Sequence, residues 1–170
     1  MGVIKHKDQR VGVLIDVQNL YHSAKHLHGG ARVNFKEVLK DAVQGRKLIR
    51  AFAYVVRTET EEEKSFFDAL TRMGIEMRVK DLQIFPGGVK KGDWDVGLAI
   101  DAVRLSDLLD AIVIISGDGD YVPLIEYLKY NKGVQVEAMA FKRSTSSRLI
   151  DAVDDFMDIG ADPKRFLLKR

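Results

Sequence analysis

The sequence predicts an α/β fold: a mainly parallel sheet with helices on both faces. Short apolar runs alternate with amphipathic stretches of helical length through most of the chain, the pattern of βαβ units. Several runs are continuously apolar, as strands buried in a core must be. Glycines and capping residues separate the segments, and no linker divides the 170 residues into two domains.

Val11-Gly12-Val13-Leu14-Ile15 is a compact apolar run ending at Asp16 and reads as a buried first strand. A helix is expected from about Leu20 to Leu27, closed by Gly29-Gly30. Asn34-Phe35-Lys36-Glu37 has the form of a capping box, and the helix it opens ends near Gly45. Lys47 to Val56 reads as a strand. Thr58 to Met73 is an amphipathic helix, acidic in its first turn and buried along Phe66, Phe67, Leu70 and Met73. Ile75 to Val79 alternates like a half-buried strand, and Pro86-Gly87-Gly88 marks a loop. A helix over Asp93 to Leu109 places Val96, Ile100 and Val103 at core spacing and leaves Asp101 solvated. The strand 111–115, a helix over Tyr121 to Tyr130, the strand Val134 to Ala140 and a helix over Ser146 to Val153 complete the pattern. The expected organisation is a tail at 1–10, one domain over 11–160 and a basic tail at 161–170.

Composition narrows the function classes. The chain has 0 cysteines, which excludes a disulfide framework and thiolate zinc sites and fits a reducing compartment. No apolar run is long enough to span a bilayer, and Met1 to Arg10 has no signal-peptide core. A cytoplasmic protein without membrane contact is expected. The net charge of +2 does not itself argue for nucleic acid. Basic residues cluster locally: Lys90 and Lys91; Lys142, Arg143 and Arg148; Lys164, Arg165, Lys169 and Arg170.

The informative feature is a set of carboxylates. Asp118 and Asp120 follow the apolar strand 111–115 within Ser116-Gly117-Asp118-Gly119-Asp120-Tyr121. Asp16 ends the first strand, and Asp95 lies in the first turn of a helix, with Asp93 as the other candidate there. Parallel strands bring their carboxyl ends to one edge, where ligands bind in open α/β sheets. Carboxylates gathered there repel one another unless a cation joins them. Mg²⁺ and Mn²⁺ are hard ions that take such oxygens and serve phosphodiester chemistry. Gly117 and Gly119 permit close backbone approach or positive φ, and Asn19 and Ser116 read as supporting residues.

These stretches carry a resemblance. Val13 to Leu20 has an aspartate followed three residues on by asparagine. Lys91-Gly92-Asp93-Trp94-Asp95-Val96 has a Lys-Gly pair before an aspartate that opens a helix. Val113 to Tyr121 holds a Ser-Gly-Asp-x-Asp-aromatic run, and Asp154-Asp155-Phe156-Met157 closes the set. The chain resembles the NYN domains of the PIN-like nuclease superfamily, in particular the LabA-like branch. The resemblance implies a PIN-like three-layer sandwich whose parallel sheet has four to five strands. It implies a Mg²⁺- or Mn²⁺-dependent ribonuclease with Asp16, Asp95, Asp118 and Asp120 as metal-binding, catalytic residues. The family's second motif commonly has one residue between Gly and Asp. Here there are two; Asp95 is aligned because Val96 follows it, with Asp93 as a supporting residue.

RNA is the expected substrate, with Lys90, Lys91, Tyr121, Lys142, Arg143 and Arg148 as candidate contacts. Trp94 and Tyr121 each adjoin a candidate ligand and could stack on a base or pack over a helix start. Ser144 to Ser147 could donate to phosphate or form an ordinary loop. His22 and His26 have a zinc-compatible spacing but no third ligand. Two other readings stand beside the ribonuclease: a non-catalytic RNA-binding or regulatory module, and a phosphohydrolase of small esters with an enclosed pocket. Exposed sheet edges leave a homo-oligomer open.

Overall fold

Apolar runs 11–15, 51–56 and 111–115 become the centre of the sheet because their side chains are buried on both faces. The structure, a computed structural model, describes residues 2–88 and 90–168, and for Lys90 and Lys91 the backbone alone. The elements are β1 (Arg10–Asp16), α1 (Val17–Leu27), β2 (Arg32–Val33), α2 (Phe35–Val43), β3 (Lys47–Arg57), α3 (Glu61–Arg72), β4 (Glu76–Asp81), β5 (Gln83–Ile84), β6 (Lys90–Lys91) and α4 (Asp95–Leu105). They continue with β7 (Ala111–Ile115), α5 (Val122–Tyr130), β8 (Gln135–Ala140), α6 (Ser147–Ala152), β9 (Asp155–Asp158), α7 (Pro163–Phe166) and β10 (Leu167–Leu168).

The main sheet has six strands in the order β4-β3-β1-β7-β8-β9, and every pairing in it is parallel. That is the predicted three-layer α/β sandwich with a strand more than expected. The extra strand is β9, the segment Asp155–Asp158 laid beside β8. Its two apolar residues, Phe156 and Met157, lie between two aspartates and are too short a run to detect.

Side-chain alternation assigns the two layers. Val13, Ile15, Ala53, Val113 and Ile115 face a core with Leu20 of α1, Val38 of α2 and Leu70 of α3. Leu14, Phe52, Tyr54, Ile112 and Ile114 face Leu98 of α4, Ile125 and Leu128 of α5 and Leu149 of α6. The chain winds from β1 outward to β4, then returns through α4 to β7 on the other side of β1. The strand order therefore reverses between β1 and β7, and their carboxyl ends border a crevice.

Helix α4 turns a different face inward than its spacing suggested. Val96 and Ile100 are 74% and 47% exposed, while Leu98, Asp101, Ala102 and Leu105 are buried. Both stripes are apolar apart from Asp101, so periodicity alone chose the wrong one. Asp101 is tolerated inside because the Tyr54 hydroxyl donates to it at 2.8 Å and Arg78 pairs with it at 3.4 Å.

Half of the expected capping box forms. Asn34 accepts from the Glu37 N–H at 3.4 Å. The Asn34 N–H donates instead to the Phe166 carbonyl at 2.7 Å, and the Glu37 carboxylate takes Arg165 at 2.9 Å. Residues 163–168, read in the sequence as tail, form α7 and β10, which pairs antiparallel with β2. Phe166 is buried against the α1–α3 layer. Lys169 and Arg170 lie outside the described residues. Pro86-Gly87-Gly88 sits in the connection between β5 and β6, an antiparallel hairpin whose two-residue strands carry no periodicity.

A buried ionic network fastens α2 to β8. Arg46 donates to both oxygens of Glu137 at 2.7 and 2.9 Å, and to the Ala42 and Val43 carbonyls at 2.9 and 3.0 Å. Gln135 donates to Glu137 at 3.0 Å. Lys5 lies 3.4 Å from Glu137 and donates to Asp155 at 2.6 Å, which ties the N-terminal segment to β9.

Candidate metal centre

The crevice between β1 and β7 receives side chains from three places. Asp16 closes β1 and caps α1, its Oδ1 accepting from the Asn19 N–H at 3.2 Å. α1 therefore starts at Val17 rather than near Leu20. Asp118 and Asp120 come from the turn after β7. Asp118 accepts from the Asp120 N–H at 2.9 Å, which shapes the single 3₁₀ turn of Gly119–Tyr121. Asp95 opens α4 from the far side of the crevice.

Asp95, Asp118 and Asp120 each offer a carboxylate oxygen, and these oxygens lie within 4.8 Å of one another. Of the two candidates at the start of α4, Asp95 joins this group. Asp93 is exposed, and its carbonyl accepts from Lys80 at 2.6 Å. Asp16 stands beside the triplet rather than in it. Its Oδ2 accepts from the Ser116 hydroxyl at 3.0 Å and lies 3.5 Å from the Tyr121 hydroxyl, which approaches Asp95 Oδ1 at 3.1 Å.

The supporting residues knit the turns together. Ser116 is fully buried, and its hydroxyl also accepts from the Asp118 N–H at 3.2 Å. Asn19 Oδ1 accepts from the Gly117 N–H at 2.9 Å, joining α1 to the loop after β7. A Cβ at Gly117 would sit 2.6 Å from Thr145 Oγ1 and 3.1 Å from its Cα, and one at Gly119 would sit 2.7 Å from Ser146 Oγ. These glycines serve close approach rather than positive φ. Gly117→Ala is expected to cost about 1–3 kcal/mol, read from the urea unfolding midpoint.

The electrostatics are those of a site short of positive charge. Burial is the main cause that pushes the Asp16 carboxyl above its ordinary range, with the charges of Asp95 and Asp118 adding to it against the bonds from Asn19 and Ser116. Asp95 is pushed up by burial and then by Asp118, Asp93 and Asp120, against the bond from Tyr121. Among the described residues, none of Asp16, Asp95, Asp118 and Asp120 has a Lys, Arg or His partner within 4.0 Å. Buried Glu137 and Asp101 both have one. A cluster of hard oxygen donors without a counter-charge fits Mg²⁺ or Mn²⁺ and does not fit a soft metal.

The remaining candidates fall out as follows. Tyr121 is 2% exposed, so its ring is not a platform for a base, and its hydroxyl instead faces the carboxylates. Trp94 packs: its Nε1–H donates to the Val55 carbonyl at 2.9 Å, its ring meets Tyr54 at 5.5 Å, and Lys80 covers it at 4.5 Å. Lys142, Arg143 and Arg148 are exposed on the turn after β8 and the start of α6. That segment abuts the metal-site loop, with the Ser146 N–H donating to the Gly117 carbonyl at 3.0 Å. The side chains of Lys90 and Lys91 lie outside the described residues. Ser144 and Thr145 spend their hydroxyls internally, on Ser23 at 2.8 Å and the Phe141 carbonyl at 2.7 Å. His22 and His26 are exposed and belong to no metal-compatible group among the described residues.

The chain is similar to known proteins along nearly its whole length. The NYN domain family model matches residues 10–160. The Low amplitude and bright protein LabA of Synechococcus elongatus is 24% identical over 171 residues, which span 96% of this chain and 90% of LabA. A protein of unknown function from Vibrio parahaemolyticus, VPA0982, has a crystal structure that matches with a TM-score of 0.87 at 29% identity. The match covers 98% of this chain and 100% of that one.

Proposed function

The chain belongs to the NYN domain family, and from that premise we propose that it is a divalent-metal-dependent ribonuclease that hydrolyses RNA phosphodiesters at the edge between β1 and β7. The observation that carries this reading is the Asp95–Asp118–Asp120 triplet, three oxygens within 4.8 Å of one another and without a cationic partner among the described residues. Asp95, Asp118 and Asp120 would hold Mg²⁺ or Mn²⁺, with Asp16 beside them. A bound ion supplies charge neutralisation at the phosphodiester and a more acidic water at neutral pH.

The chain's own residues do the rest. Asp120, the exposed member, orients the attacking water from the solvent side. Ser116 and Asn19 hold the loop after β7 against Asp16 and α1, so the carboxylates keep their spacing. Lys142, Arg143 and Arg148 draw the polyanionic backbone to the same edge. Asp120 is exposed at this edge, which suits a polymer better than the enclosed pocket of a small-ester phosphohydrolase. Absence of cysteine supports a cytoplasmic setting.

A second reading, an RNA-binding module that does not cut, draws on Asp16: both of its oxygens are occupied by hydrogen bonds inside the fold. One experiment separates the two. End-labelled single-stranded and hairpin RNAs are incubated with the protein and Mn²⁺ or Mg²⁺. The ribonuclease reading expects cleavage that EDTA stops. Retention of RNA on a filter with no cleavage in either metal selects the binding module, and turnover of nucleotide monoesters with intact RNA selects the phosphohydrolase.

A further inference from the structure

Asp95 reaches the crevice on α4, whereas Asp118 and Asp120 arrive on the turn after β7. The sheet's hydrogen bonds register β7 against β1, but they do not register the first turn of α4 against that turn. Something else must set the third carboxylate. Among the described residues, the hydrogen bond that Asp95 Oδ1 accepts comes from the Tyr121 hydroxyl at 3.1 Å.

The tyrosine is built to hold a position. It ends the 3₁₀ turn Gly119–Tyr121 and leads directly into α5, whose first turn carries a proline. Its ring is 2% exposed and belongs to the core that holds Leu14, Leu98 and Leu149. With the ring packed, its two side-chain torsions are fixed, and so is the oxygen. A phenol has one hydrogen to give. The oxygen stands 3.1 Å from Asp95 and 3.5 Å from Asp16, so the hydrogen goes to Asp95. Asp16 already has Ser116 and the Asn19 N–H as donors.

We propose that Tyr121 is a positioning residue: its hydroxyl fixes the Asp95 carboxylate beside Asp118 and Asp120, so that the cation site is assembled before a divalent ion arrives. One short turn, Asp118-Gly119-Asp120-Tyr121, then supplies two of the ligands and the group that aims the third. The phenol holds Asp95 Oδ1, and the carboxylate as a whole would still be available to an ion. The role rests on the metal reading above, because it concerns the same site. Groups that orient a ligand from behind typically control affinity by about 10–100-fold.

The test uses Tyr121→Phe, which removes one oxygen and keeps the buried ring. Mn²⁺ is titrated calorimetrically into the metal-free full chain. The dissociation constant is expected to rise about 10–100-fold. In an Asp95→Asn background the same replacement is expected to change it no further, because the hydroxyl acts through Asp95. A purely structural tyrosine would lower the unfolding midpoint in both backgrounds and leave wild-type Mn²⁺ affinity unchanged, and that outcome overturns the proposal. Failure of the wild-type chain to bind Mn²⁺ overturns the metal reading instead. The ¹³C carboxyl resonance of Asp95 in metal-free protein then decides the positioning role alone. It moves on Tyr121→Phe if the hydroxyl holds that carboxylate, and an unmoved resonance refutes the role.

Discussion

Asp118→Asn is expected to lower Mn²⁺-dependent RNA cleavage by at least about 100-fold while leaving the metal-free protein as stable as the wild type or more so. The two effects share a cause. Asp118 contributes a carboxylate oxygen to the triplet, and its charge raises the carboxyl groups of both Asp16 and Asp95. The amide keeps an oxygen to accept the Asp120 N–H, so the 3₁₀ turn is preserved. It removes one negative charge from a cluster without a counter-ion. For Asp16 and Asp95 the folded chain binds the proton more tightly than the unfolded chain does. Their contribution to stability is therefore full below the unfolded carboxyl range, near about pH 3.9, and is lost as pH rises through the raised folded values. Metal-free wild type should lose stability on that rise, and Asp118→Asn should lose less. Added Mg²⁺ should raise the wild-type melting temperature by mass action and leave that of Asp118→Asn nearly unmoved. Thermal melts at several pH values, with EDTA or Mg²⁺, check all three statements. Full cleavage by the variant would remove Asp118 from the mechanism.

The site was legible in the sequence to the extent that its residues sit at strand ends. Asp118 and Asp120 follow five buried apolar residues, and Asp16 follows another such run. Parallel topology then forces their convergence. The choice of Asp95 over Asp93 rested on the motif alone, because it depends on where α4 begins and which way its first turn faces. The orientation of Tyr121 was open for a similar reason. An aromatic next to a ligand looks the same in sequence whether its ring points out to a base or inward with only its hydroxyl at the site. The face of α4 was lost to an ambiguity of composition. Val96 and Ile100 form as good a stripe as Leu98 and Ala102, and the deciding fact is that Tyr54 and Arg78 wait for Asp101 on the buried side. Strands of two residues, such as β2 and β10, carry no periodicity at all. They exist because Phe166 is drawn into the core and brings its neighbours with it.

Glu137→Ala is expected to destabilise the fold by about 3–5 kcal/mol, the cost of stranding a buried charge. Nothing in the strand's sequence marks Glu137 as more than a polar interruption. In the structure its side chain and that of Arg46 are both 0% exposed, 2.7 Å apart. Without Glu137, Arg46 would keep the Ala42 and Val43 carbonyls and Gln9 at 3.2 Å but would retain no negative partner among the described residues. Lys5 would lose one of its two acidic neighbours and keep Asp155. The magnitude measures a broken pair, not the worth of the pair. Glu137→Leu combined with Arg46→Met should therefore be less destabilising than Glu137→Ala alone, because it removes both charges and refills the space. Urea unfolding of the three proteins decides this. If the double replacement is the worst of the set, the network's contribution lies in its hydrogen bonds to the end of α2 rather than in charge pairing. The network sits beneath β8, the strand whose following turn carries Lys142 and Arg143. Loosening it should also weaken RNA retention without changing Mn²⁺ affinity, since the carboxylate triplet hangs on β7 and α4 instead.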